Sequence, residues 1–185
     1  MLAPEDLWKA WKSNFTSWLD GHYKLSWEMS SEEWTRGVIE PYLLHVAREQ
    51  MNLWIRFAQE GKTGAVIYDS DAEEALCHVE HLNDRDDVRD SLPALFNSGP
   101  GLKCVITYGD PKGGEPDVNR RENAQLVEAW NESAIRPVIL RLLSRKPEQS
   151  WLFIIGLEYD FRLESDWTAY LYSSDSGKAT ISQLS

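Results

Sequence analysis

The sequence predicts an α/β protein whose mixed central β-sheet is flanked by helices. Two helical segments with apolar stripes come first, and short runs rich in β-branched and aromatic residues then alternate with helical segments. A strand, a helix and a further strand follow one another in the middle of the chain, which implies a parallel crossover there. The length of 185 residues suits a single domain over 1–185, with 1–62 as a helical N-terminal part packed on it.

Composition limits the function classes. The net charge of -11 at pH 7 weighs against a generic nucleic-acid binder, which needs basic residues to neutralise phosphates. The same charge fits a carboxylate cluster around a divalent cation, or a module that binds a basic protein partner. No segment approaches the roughly 18 apolar residues that a membrane-spanning helix needs. We therefore expect a cytoplasmic protein with no membrane association, and we see no secretory signal.

Two helices are expected before the sheet. Pro4 and the acidic residues after it favour a helix that runs to Asp20, with Gly21 as its stop. A capping pattern of Ser30 and Glu33 opens a second helix, which apolar periodicity carries to about Glu60. Within this second helix a proline at position 41 should cause a kink or a split.

Strands and helices after residue 64 are read from the alternation of β-rich runs, polar helical segments and glycine or proline breakers. We expect strands at 64–70, 74–82, 102–108, 151–159 and 167–172, and helices at 84–96 and 119–146. A proline at position 137 should interrupt the last helix, and the small polar residues from Ser173 onwards are expected to fray.

Most tryptophan side chains and both cysteine side chains are expected in the core. Tryptophans at helical or strand positions are assigned to core packing, among them Trp11, Trp54, Trp130 and Trp151. The two cysteines, Cys77 and Cys104, lie in apolar strands without zinc-ligand spacing, so they are expected to be buried thiols.

The segment from Tyr68 to Tyr108 carries the most informative chemistry. Asp69 ends one predicted strand and Glu80 lies near the end of the next. If these strands pair as a hairpin, the two carboxylates either converge or are offset, depending on a register that the sequence leaves open. Converging carboxylates can hold Mg²⁺, with Mn²⁺ as a substitute, and such an ion can generate a hydroxide that attacks a phosphodiester.

This segment resembles the PD-(D/E)XK, or restriction-endonuclease-like, superfamily. The family pattern is an Asp, ten or more residues, Glu-x-Lys on a strand, then a helix and another strand. Residues 65–109 follow it with Val79-Glu80-His81 and the strand LKCVITY. The resemblance implies a restriction-endonuclease-like core with extra N-terminal helices and a C-terminal strand pair. It also implies Asp69 and Glu80 as metal ligands, with Asp71 as the alternative to the first.

One position departs from the family pattern. Leu82 stands where the motif lysine should be, and leucine can neither position nor activate a water molecule. Either Lys103 or His78 supplies the missing base, or the metal suffices without one, or the site is inactive and the fold is reused. Glu40, on the long helix, is a further candidate ligand.

Two functional hypotheses follow. The first is a divalent-metal-dependent nuclease or phosphodiesterase that acts on nucleic acid through a metal site. The second is a catalytically degenerate or unrelated acidic α/β module that binds a protein partner.

Overall fold

The computed structural model describes residues 2–22, 31–58, 64–82, 85–108, 124–157, 167–175 and 178–185. A seven-stranded mixed sheet carries helices on both faces, which confirms the α/β class. The strands are β1 Trp54–Phe57, β2 Ala65–Tyr68, β3 Ala75–His81, β4 Leu102–Tyr108, β5 Ser150–Gly156, β6 Trp167–Asp175 and β7 Lys178–Leu184.

The strands lie side by side in the order in which they occur along the chain. Strands β3, β4 and β5 are parallel, and all other neighbours are antiparallel, so the predicted crossover and mixed sheet are confirmed. The central strands β4 and β5 are buried on both faces, as their nearly continuous apolar sequences require.

Helices α1, Pro4–His22, and α2, residues 31–50, cover the first face of the sheet. The predicted apolar stripe of α1 is buried there, with Trp11 packed edge-on against Tyr42 and Trp167. Helix α1 continues through the expected stop at position 21 by one residue. The first face therefore has an aromatic core built by the N-terminal helices.

The prediction that α2 continues to about residue 60 is wrong. Asn52 adopts a left-handed conformation with φ of 53°, and the Leu53 N–H donates to the Ala47 carbonyl at 2.8 Å. These features close the helix after Gln50. Residues 54–57 then form β1, because their short apolar run fits a strand as well as a helix.

The change from helix to strand also overturns the core assignment of Trp54. Side chains alternate along β1, so Ile55 and Phe57 face the first core while Trp54 points away from it. The Trp54 side chain is 57% exposed. Trp11 and Trp151 are fully buried as predicted, and both cysteines are buried free thiols.

Helices α3, Arg85–Asn97, and α4, residues 124–143, cover the second face over the central strands. Pro137 does not split α4, and Pro41 does not split α2. Each proline lies two residues after the end of a wide π-type turn, which is Asn131–Ile135 in α4 and Thr35–Ile39 in α2. A proline lacks the N–H of a regular helical hydrogen bond, and its ring clashes with the preceding turn. The wide turn accommodates both effects, so both helices continue.

The C-terminal segment is ordered, which corrects the expectation that it frays. Strand β6 extends to Asp175 and pairs with β7 in an antiparallel hairpin. Ala179 and Ile181 of β7 pack against the core of the second face, and this burial holds a polar segment in the sheet. No helix among the described residues has the length and apolarity needed to cross a membrane.

Candidate functional site

The β2–β3 hairpin holds Asp69 and Glu80 at its opposite ends. The register of the two strands places Glu80 opposite Gly64, whereas the Asp69 N–H donates to the Glu74 carbonyl at 2.9 Å beside the turn. A rise of about 3.3 Å per residue separates Gly64 from Asp69 by about 16 Å along β2. The hairpin therefore does not bring the two carboxylates together.

Asp69 is engaged in closing the hairpin turn. Its Oδ1 accepts the backbone N–H of Asp71 at 2.8 Å and that of Ala72 at 3.1 Å. These two hydrogen bonds hold the pKa of the Asp69 carboxyl below its ordinary value. The arrangement is an Asx turn, in which the side chain shapes the loop. The alternative ligand Asp71 is exposed on the same turn.

Glu80 lies in a partly buried notch on the second face. Its Oε2 is 3.8 Å from His78 Nε2, and the two side chains are 17% and 23% exposed. Gly64 forms the floor of the notch with φ of 148°, and a Cβ there would lie 2.7 Å from Glu80 Oε2. The backbone conformation favours glycine at this position, and a side chain there would also have to displace the Glu80 carboxylate. The contacts of Glu80 with His78 and with the Gly64 backbone are therefore not those of a carboxylate pair.

His78 and Lys103 both contact Ser98 at the end of α3. The Ser98 hydroxyl donates to the Leu95 carbonyl at 2.7 Å, so its oxygen can only accept from its other neighbours. It lies 2.6 Å from His78 Nδ1 and 3.2 Å from Lys103 Nζ. Burial, followed by the charge of Lys103, lowers the pKa of His78, which favours a neutral ring with its proton on Nδ1.

The ammonium group of Lys103 is saturated with acceptors. Besides the Ser98 hydroxyl, Nζ donates to the carbonyl oxygens of Ser98 and Pro100, the latter at 2.5 Å. The side chain is fully buried, and this burial lowers its pKa to about 8. All three donors of an ammonium are thus committed to the connection between α3 and β4. Lys103 and His78 hold this connection in place, which is a structural role.

Leu82 and Glu40 do not add a polar group beside Glu80. The Leu82 side chain is buried in the core of the second face, where it packs as an ordinary apolar residue. Glu40 belongs to α2 on the first face, whereas Glu80 points to the second, so the sheet separates them. Burial raises the pKa of Glu40, and the nearby Arg36 charge opposes this.

The donor set does not fit a magnesium ion. Across the part of the chain that the structure describes, no group of 3 or more His, Cys, Asp or Glu side chains is arranged to hold a metal. Mg²⁺ requires several oxygen ligands in near-octahedral geometry. The carboxylates named by sequence reasoning lie at the turn, in the notch and across the sheet, and they do not converge.

His81 points to the first face, opposite to His78, as strand alternation requires. The Trp34 indole N–H donates to the Tyr108 hydroxyl at 2.7 Å, and that hydroxyl is 2.8 Å from His81 Nε2. The other ring nitrogen, Nδ1, lies 2.9 Å from Thr35 Oγ1, so a neutral imidazole donates one of these two hydrogen bonds and accepts the other. Burial lowers the pKa of His81 to about 3. This network ties α2 to β3 and β4 through a neutral imidazole.

A surface cleft lies on the second face beside β1 and the hairpin turn. Its volume is about 360 Å³, and it is lined by Trp54, Ile55, Arg56, Tyr68, Asp69, Ser70 and Glu73. The Arg56 guanidinium lies 5.5 Å from the centre of the Tyr68 ring. Aromatic faces and carboxylates thus adjoin one another at this edge of the sheet. Among the described residues, the helices of the second face do not cover it.

Two residues that organise this region escaped sequence reasoning. Position 64 is predicted only as the start of a strand, and Ser98 only as part of the segment between the helix at 84–96 and the strand at 102–108. The signal for the first is that a glycine directly precedes a β-branched run, where it often marks a close approach of another group. The signal for the second is the serine at a helix end, where hydroxyls bond backbone carbonyls.

No family model matches the chain, and no curated protein is similar to it in sequence.

Proposed function

We propose that the chain is a non-catalytic α/β module that binds a basic segment of a protein partner. The observation that carries this proposal is the cleft beside β1, in which the rings of Trp54 and Tyr68 adjoin the carboxylates of Asp69 and Glu73. Aromatic faces attract cations, and neighbouring carboxylates add direct charge pairing. A lysine or arginine side chain matches both features.

The protein's own arginines already contact these rings, so the rings accept cations, and a basic segment must displace Arg48 or Arg56 to reach them. The Arg48 guanidinium lies 4.8 Å from the centre of the Trp54 ring, and Arg56 makes the similar contact with Tyr68. Because Trp54 is 57% exposed, it can offer a large apolar surface to a partner, as interface tryptophans commonly do. The net charge of -11 would also steer a basic segment towards the molecule.

A metal-dependent phosphodiesterase is less well supported by the geometry. The resemblance to the PD-(D/E)XK superfamily implies a second carboxylate near Glu80, and the opposite position is Gly64. The hairpin, helix α3 and parallel β4 do follow the order that the resemblance implies. We therefore favour a degenerate relative that keeps this order of elements without the metal chemistry.

Short peptides of defined charge test the proposal. A lysine- and arginine-rich peptide should bind the purified protein in isothermal titration calorimetry, and its glutamate-substituted counterpart should not. Trp54→Ala should weaken binding by about tenfold or more, as loss of a buried aromatic anchor does. Glu73→Gln should weaken it by about threefold, the effect of one exposed charge pair.

The matched control removes one charge at a distant exposed site. Glu148→Gln changes the net charge as much as Glu73→Gln does, and it should leave peptide binding unchanged. Equal effects of these two variants would mean that only the overall charge attracts the peptide, and the cleft would lose its role.

The phosphodiesterase alternative is tested by titration with Mg²⁺ and Mn²⁺. We expect no saturable binding to the wild-type protein and no cleavage of single- or double-stranded nucleic acid. Saturable binding that Glu80→Gln abolishes would instead support a metal site and the enzyme hypothesis.

A further inference from the structure

Strand β1 is an edge of the sheet, and its outward backbone groups can be identified. Antiparallel partners alternate between pairs that exchange hydrogen bonds and pairs that do not. The Ala58 N–H donates to the carbonyl of its register partner Gly64 at 2.8 Å. Arg56 therefore also bonds to β2, while Ile55 and Phe57 direct their N–H and C=O groups away from the sheet. Among the described residues no strand covers this edge.

We propose that β1 pairs with β1 of a second copy of this chain, antiparallel and centred on Ile55. In this register the Ile55 N–H of each copy donates to the Ile55 carbonyl of the other. The Phe57 N–H of each copy donates to the Leu53 carbonyl of the other. The Leu53 N–H is already committed to Ala47, so this register uses only the Leu53 carbonyl.

Side chains select this register over its neighbours. Centring on Ile55 places Trp54 of each copy directly opposite Arg56 of the other. Each Arg56 can then exchange the Tyr68 ring of its own chain for the Trp54 ring of the other, on the ring face that Arg48 leaves open, twice across the two-fold axis. A shift by one residue would place residues with outward N–H and C=O groups opposite residues whose groups already bond to β2, so no hydrogen bonds could form between the copies. Centring on Arg56 keeps the backbone match but brings the two Arg56 side chains together, and like charges directly opposite one another are unfavourable.

The other edge of the sheet lacks this self-complementarity. Strand β7 pairs only with β6 among the described residues, and its exposed side chains include Lys178, Thr180, Ser182 and Gln183. An antiparallel pair centred on Ile181 would place Thr180 opposite Ser182 and Lys178 opposite Leu184. No charge or aromatic pairing favours that contact, so the second copy is assigned to β1.

The dimer should be weak and strengthened by salt. Only a short strand from each copy takes part, so the contact is smaller than the roughly 1,200 Å² typical of stable complexes. Each copy also carries a net charge of -11, and salt screens the resulting repulsion. The inference rests on the backbone edge of β1 and not on the cleft, but both surfaces include Trp54 and Arg56, so a bound peptide would compete with the second copy.

Sedimentation velocity of the purified protein tests the inference. Between about 5 µM and 1 mM protein in about 0.5 M salt, the weight-average sedimentation coefficient should rise from the monomer towards the dimer value. Trp54→Arg should abolish the rise because it sets arginine against Arg56. Thr180→Arg adds the same charge on β7 and should leave the rise intact. Since both side chains are exposed, neither change should disturb the fold.

A charge exchange tests the register itself. Arg56→Glu alone should weaken the dimer, because it removes the cation from the ring of Trp54. Combining it with Trp54→Lys should restore association, because each introduced lysine then faces an introduced glutamate across the axis. Three results would overturn the proposal. The protein could stay monomeric at every concentration, or Thr180→Arg could remove association while Trp54→Arg does not. The double variant could also fail to recover association.

Discussion

Acidification should destabilise the fold through His81. This imidazole is 4% exposed and is held neutral between the Tyr108 hydroxyl and the Thr35 hydroxyl. Protonation would put a hydrogen on the ring nitrogen that accepts a hydrogen bond in the neutral form, and that bond would be lost. It would also place a charge in the aromatic core of the first face, where no water can solvate it.

The magnitude follows from the pKa of the ring in the two states. Burial lowers the pKa of His81 from 6.5 to about 3 in the folded protein. Between these values the unfolded chain binds the proton and the folded chain does not, so stability increases with pH. The contribution is complete above pH 6.5 and is lost as the pH falls towards 3. Each pH unit in this window costs about 1.4 kcal/mol, or about 2 kcal/mol between pH 6.5 and pH 5.

Urea unfolding of the wild-type protein and His81→Gln provides the measurement. The variant cannot titrate at this position, although it should be less stable at neutral pH because the packing and hydrogen bonds change. Between about pH 7 and pH 5 the wild-type protein should lose about 2 kcal/mol more unfolding free energy than the variant. His78, whose pKa is also lowered, is present in both proteins and cancels in the difference.

Parallel stability curves for the two proteins would refute this reasoning. They would mean that His81 has the same proton affinity in the folded and unfolded states, and hence that the ring is solvated in the native protein. Any pH dependence of the unfolding free energy would then have to come from the carboxylates.

Further changes have expected outcomes that the same stability assay can check. Gly64→Ala should destabilise the protein by about 1–3 kcal/mol, because a Cβ would strain the positive φ and meet the Glu80 carboxylate. Gly99→Ala, where a Cβ meets nothing within 4 Å, should be nearly neutral, and equal losses would contradict the argument. Lys103→Met should cost about 1–3 kcal/mol by leaving buried carbonyls without donors. Because the folded pKa of Lys103 is about 8 against 10.5, wild-type stability should gain a contribution as pH rises through that window, and the methionine variant should lack it. Trp151→Ala should cost about 3–5 kcal/mol as a fully buried aromatic residue, and a loss below about 1 kcal/mol would mean that the core is loosely packed.

The parts of the fold that local patterns determine could be predicted from the sequence. Continuous apolar runs gave β4 and β5, and the stripe containing Trp11 gave the buried face of α1. The strand-helix-strand order gave the parallel crossover between β3 and β4. Each of these features depends on side-chain periodicity or chain order alone.

The errors arose where a short pattern fits two structures. The apolar residues around Trp54 continue the helical period of α2, and only the left-handed Asn52 reveals that the chain turns into a strand. The segment after Ser173 has little apolar content, and its order depends on β6 as a pairing partner. Long-range pairing of this kind leaves no local mark in the sequence.

The candidate site depended on a register that no local pattern encodes. The alternation of side chains along a strand accounts for His78 and His81 lying on opposite faces. It could not decide whether Asp69 lies beside Glu80, because that depends on where the hairpin turns. A turn closed by the Asp69 side chain places that carboxylate at the far end from Glu80.

The neighbour-to-neighbour order of the strands has a consequence for folding during synthesis. Every strand from β2 onwards pairs with the one made just before it, so each new strand emerging from the ribosome finds its partner already present. The sheet can therefore grow from one edge to the other without waiting for distant segments. The parallel crossovers through α3 and α4 require the longest wait, because a whole helix must emerge before β4 or β5 can add. Ribosome pausing within α4 should consequently expose the unpaired edge of β4 for the longest time.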